Sequence, residues 1–295
     1  LNFCDYCVYL IFMQMHYKIM DKENIWKIEL YKLYENRNLE DLRKRLIDIT
    51  DVLVYIHEIL AENNIKLNDK DVYSEQLVIK FHLQNLSLIE LSKGVSIKSK
   101  FFKKEYQNIK FLDISSIITI IRSQYESLLM YQHLYINSTN ENHQKLRFES
   151  WIMSSMMLRS KIFSEAQQKF PERLLQEQNS IKNLQESIKN NPEYNNLSEK
   201  QKKNLIETGS GKLFKSWDTI FDESNFNRQG VFSKIYYITS VYAHSEGTLA
   251  LQLKESKHLM EDPNMQESNY LMLFYSYLMT NIMIKNVINK FSLVK

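Results

Sequence analysis

Apolar residues recur at intervals of three and four through most of this chain, the period that turns one face of an α-helix inward. The strongest run is Asp113 to Asn137, DISSIITIIRSQYESLLMYQHLYIN. It predicts a central helix with Asp113 as its N-cap and Ile114, Ile117, Ile118, Ile121, Tyr125, Leu128, Leu129 and Gln132 on the buried face. Before it, Glu23–Tyr34 reads as a first amphipathic helix, and Asn38 caps a second with the stripe Leu42, Leu46, Ile49, Leu53, Ile56 and Leu60. Asp71 opens a third through Tyr73, Leu77, Phe81, Leu88 and Leu91, with Gly94 as its stop. After a turn at Ser138-Thr139-Asn140, a long helix is predicted over Glu141–Phe170, its Met153, Met156 and Met157 serving as adaptable core. Pro171 then starts a polar helix to Asn190, and Ser198 starts a short one. Further on, Phe232, Ile235, Tyr236, Thr239 and Ala243 share a helix face, and Pro263 leads a last long helix.

Composition narrows the fold. Five Gly and three Pro in 295 residues are too few for the turns of a β-rich or doubly wound protein. The expectation is an all-α multi-helix bundle with long central helices. Residues 21–295 are read as one helical domain, with 172–211 as a polar projecting insertion and 1–20 as an extension ahead of the native start. The last helix is almost of membrane length, but Ser276, Thr280 and Asn281 interrupt it, which favours a bundle core over a membrane span.

A net charge of +3, from 38 basic and 35 acidic side chains, sets up no global field for nucleic acid. The basic runs Lys98–Lys104 and Lys200–Lys203 read as solvated faces. Cys4 and Cys7 lack further ligands at zinc spacing and read as incidental thiols in a reducing cytoplasm. Gly209-Ser210-Gly211-Lys212 lacks the spacing and the preceding strand of a phosphate-binding loop.

Candidate chemistry begins on the central helix, where Arg122 and Glu126 stand one turn apart on a single face. A buried charge needs a partner, so the pair is either structural or part of a site. Downstream stand Trp217 and then Tyr237-x-x-Ser240-x-x-x-His244-Ser245. The R-x-x-x-E and Y-x-x-S-x-x-x-H helices together resemble a widespread bacterial family of all-helical proteins of unknown function. That resemblance spans roughly residues 113–253 and implies a bundle gathering Arg122, Glu126, Ser240 and His244. A looser similarity is to the HEPN helical ribonucleases of defence and toxin systems. Those separate an arginine from a following histidine by four to six residues, an order and spacing that no Arg–His pair takes up here.

Two functions follow as expectations. The first is a metal-independent ribonuclease in which Arg122 holds a phosphate, His244 moves protons, Glu126 orients them and Ser240 completes the hydrogen bonding. The alternative is a non-catalytic helical sensor or interaction protein that binds a nucleotide or a protein partner, with 172–207 as a contact for a partner or a second copy, whereas RNA is the partner expected of the ribonuclease. The same four residues could instead close a polar network that fixes helix register. A metal hydrolase would have only Glu126, His133 and His244 to draw on, so no metal, cofactor or membrane association is expected.

Overall fold

The computed structural model describes residues 30–62, 69–96, 101, 103, 109–162, 170–224, 231–243 and 259–291. Cys4, Cys7, the end of the predicted Glu141–Phe170 helix and His244 lie outside them. The described chain is all-α apart from one small sheet, and it packs as two compact units. Residues up to 128 together with those from 231 onward form the first, and residues 129–224 the second.

In the first unit, α1 (Leu39–Glu62) starts where the sequence places it, with Asn38 Oδ1 accepting from the Asp41 amide at 3.0 Å. Its Leu42, Leu46 and Leu53 are wholly buried, each contributing about 2 kcal/mol of burial. α2 (Asp69–Leu91) follows, and Gly94 closes it at a φ of +76°, a conformation that costs a side chain dearly. The next residues, Val95–Ser96 (β1), pair antiparallel with Lys110–Phe111 (β2), which leads directly into α3 (Ile114–Tyr131). Asp113 caps α3 by accepting from the Ser116 amide at 3.0 Å. α8 (Val231–Ala243) and α9 (Pro263–Phe291) complete the unit, with α9 packed along α1 and against α2. α9 is the one described helix long and apolar enough to cross a bilayer, and 67% of its most apolar window is buried within the protein.

The buried face of α2 differs from the expected one. It runs through Ser74, Val78, Phe81, Asn85, Leu88 and Ser92, leaving Tyr73 exposed. The cause is a polar network joining four helices. Asn85 Oδ1 accepts from Gln124 Nε2 at 2.6 Å and Ser276 Oγ at 2.9 Å, while its Nδ2 donates to Thr50 at 3.0 Å and Thr280 at 3.1 Å. All five side chains are buried, so α2 must turn Asn85 inward, and that sets its phase.

The second unit begins at the end of α3, where Gln132–Ile136 widens into a π-helical turn closed by the Asn137 amide on the Gln132 carbonyl at 2.9 Å. α4 (Glu141–Ile162) follows, then α5 (Pro171–Lys189), a 3₁₀ turn Pro192–Asn196, α6 (Glu199–Thr208) and α7 (Trp217–Glu223). α5 packs on α4 despite its polar sequence. Its Ile188 joins Leu146, Met153, Leu205 and Leu213 in a small core, flanked by Ile181 and Leu184. A narrow apolar stripe on each polar helix is enough to anchor the segment.

Candidate functional site

One turn of α3 aligns Arg122 and Glu126, and the structure closes them into an ion pair, Nε to Oε1 at 3.1 Å. α8 supplies a third group. The Tyr236 hydroxyl accepts from Arg122 Nη2 at 3.2 Å and donates to Glu126 Oε1 at 3.3 Å. The Tyr236 ring also lies under the guanidinium, with its centroid 5.1 Å from the guanidinium carbon, and 5.8 Å from the Tyr125 ring. Burial, and then the Glu126 carboxylate, raise the Tyr236 pKa, so the hydroxyl keeps its proton and its bond to Glu126. Nη1 of Arg122 is left buried without a hydrogen-bond partner.

Ser240 is engaged within its own helix. Ser240 Oγ donates to the Tyr236 carbonyl one turn back at 2.7 Å, which occupies its hydroxyl locally. Tyr237, the first tyrosine of the Y-x-x-S pattern, is 70% exposed. His244 lies outside the described residues. Tyr236 therefore takes the place beside Arg122 and Glu126 that the sequence reading gave to Ser240. Its signal was present, since a phenol stood on the buried helix face at Ile235, Tyr236 and Thr239.

A second polar centre lies in the second unit. Arg147 on α4 is 2% exposed, and its Nη1 donates to the carbonyls of His133 at 2.9 Å and Asn137 at 3.0 Å. A cation thereby caps the π-helical turn that follows α3, where carbonyls lack intrahelical partners. Nε donates to His143 Nε2 at 3.2 Å, and Nδ1 of the same ring stands 3.0 Å from Thr139 Oγ1 and 3.4 Å from the Thr139 amide. Nη2 faces Glu223 Oε2 at 3.4 Å, and the other oxygen of that carboxylate takes the Lys215 ammonium.

His133 is wholly buried beside this cluster, with neither ring nitrogen hydrogen-bonded. Burial, then Arg147 and Lys215, lower its pKa to about 3, so it is neutral near pH 7. His143 and Arg147 stand one turn apart on α4, and nothing in the sequence shows that they converge with His133. Among the described residues, no group of three or more His, Cys, Asp or Glu gathers as metal ligands. Comparisons with protein-family models, curated proteins and solved structures give no match.

Proposed function

We propose that this chain is a non-catalytic helical sensor of the cytoplasm whose Arg122 recognises the phosphate of a nucleotide or of RNA. The observation that carries the reading is the state of the guanidinium. Glu126 and Tyr236 fix Nε and Nη2, which sets the plane of the fork and leaves Nη1 as an oriented donor with no protein acceptor. Because Nη1 is buried, a phosphate oxygen reaches it by displacing the groups that cover it, and once there it satisfies the donor while the pre-set geometry lowers the entropy lost on binding.

The ribonuclease alternative needs a proton-transfer group with a free valence beside the phosphate. Among the described residues, the groups on Arg122 are Glu126 and Tyr236; the Tyr236 hydroxyl and Glu126 Oε1 are committed to the clamp, leaving only Glu126 Oε2, a single oxygen without a second group to return the proton. Binding without turnover is therefore the preferred reading. Isothermal titration of the full chain with ribonucleoside monophosphates and a short RNA tests it. The wild type binds, and Arg122→Gln loses at least about tenfold in affinity, the weight of one charge-assisted bond. Equal binding by the two proteins refutes the assignment.

A further inference from the structure

We propose that the Glu223 carboxylate is an internal occupant of a second anion site, built by Arg147 and Lys215 for the dianionic oxygens of a phosphate group. The site lies wholly within the second unit and does not depend on Arg122.

A carboxylate bridging two cations from different parts of the chain has the arrangement of a bound anion. Its fit is poor on one side, because Arg147 Nη2 stands 3.4 Å from Glu223 Oε2, whereas charge-assisted bonds of this type close to about 2.7–2.9 Å. The other two nitrogens of Arg147 are occupied by His143 and by the carbonyls of His133 and Asn137, so only Nη2 is left to meet an anion. Glu223 is also the last residue of α7, the end where exposed carbonyls repel a negative charge. The two cations are what hold it there. Its side chain is 33% exposed, within reach of a competing anion in solution.

Lys212, on the same loop as Lys215, lies 4.2 Å above the Trp217 ring. The loop carrying the lysines is held in a costly shape, with Leu213 at a φ of +47° and Phe214 at +63°. Backbone strain of this kind persists where the surroundings fix it, and it is common at ligand sites. His133, whose backbone carbonyl Arg147 holds, has a buried imidazole with two unpartnered nitrogens. A tetrahedral phosphate offers oxygens in several directions, so it can close on Nη2 and on the Lys215 ammonium at the same time.

The test is isothermal titration of the full chain at neutral pH and low salt with inorganic phosphate and, separately, adenosine monophosphate. Glu223→Gln keeps an amide oxygen for Arg147 but removes the competing charge. It should bind phosphate at least about tenfold more tightly than the wild type, the weight of one close charge interaction. Lys215→Gln should abolish the gain that Glu223→Gln brings, and that gain should persist in an Arg122→Gln background, which separates this site from the one on α3. Tighter binding of adenosine monophosphate than of phosphate assigns the ligand as a nucleotide beside Trp217, and equal binding assigns the phosphate alone. Circular dichroism confirms that each variant is folded. Folded wild type and Glu223→Gln that both ignore millimolar phosphate, or binding indifferent to Lys215→Gln, overturn the proposal.

Discussion

Arg122 and Tyr236, 114 residues apart in sequence, meet twice, through a 3.2 Å hydrogen bond and through the face of the phenol ring under the guanidinium. The two contacts separate experimentally. Tyr236→Phe keeps the ring and removes the hydroxyl, and should cost about 1 kcal/mol in urea unfolding. Tyr236→Ala removes both and should cost about 2–3 kcal/mol. Equal costs for the two variants would mean that the ring contact contributes nothing.

Asn85 is expected to be among the most sensitive polar positions in the first unit. Asn85→Ala strips the acceptor from Gln124 and Ser276 and the donor from Thr50, all in buried surroundings. A loss of about 2–4 kcal/mol follows from leaving those groups unpaired. Ser87→Ala, on the exposed side of α2, should change stability by less than about 0.5 kcal/mol. Chemical denaturation of both variants checks the contrast.

Acid should weaken the protein through His133. Its folded-state pKa is about 3 against an ordinary 6.5, so the unfolded chain takes up the proton first. The contribution is complete above pH 6.5 and falls by about 1.4 kcal/mol per pH unit as the pH drops from there toward 3. His143, whose pKa is lowered by burial and then by Arg147, acts in the same direction. Between pH 7 and pH 5 the wild type should lose about 2 kcal/mol relative to His133→Leu, which cannot titrate. Parallel pH profiles for the two proteins would contradict the assignment.

Gly209 and Gly211 stand two residues apart and should differ in their response to alanine. Gly209 has a φ of +77°, and an added Cβ would come within 2.9 Å of the Ser154 Cα on α4. Gly209→Ala should therefore cost at least about 1–2 kcal/mol, from the left-handed backbone alone before the clash is relieved. At Gly211 the nearest atom to such a Cβ is 3.6 Å away, on the Trp151 ring, and the substitution should be close to neutral. Thermal melts of the two variants distinguish the positions.

Much of the fold could be read locally, because caps and stops act within a few residues. Asn38, Asp113 and Ser198 each cap the helix predicted to follow, and Gly94 ends α2 as its conformational freedom suggests. The Arg122–Glu126 pair followed from helix geometry alone. What the sequence hid depends on partners far along the chain. Asn85 reads as one polar residue in an amphipathic helix, and its inward turn is set by Gln124, Ser276 and Thr280, 39 to 195 residues away. Ser240 looked like a site residue, but a short hydroxyl in a helix readily bonds the carbonyl one turn back, whereas the Tyr236 phenol on the same face reaches the neighbouring helix. The packing of α5 was masked by its charged composition, since three apolar residues, Ile181, Leu184 and Ile188, are enough to seat it.

The most direct test of the sensor assignment is incubation of mixed RNA with the purified full chain in a chelating buffer, scoring retention and integrity together. Retention of intact RNA by the wild type, with retention lost in a folded Arg122→Gln variant, is the predicted result. RNA cut by the wild type, or retained equally by both proteins, would contradict the account of Arg122 as a non-catalytic phosphate clamp.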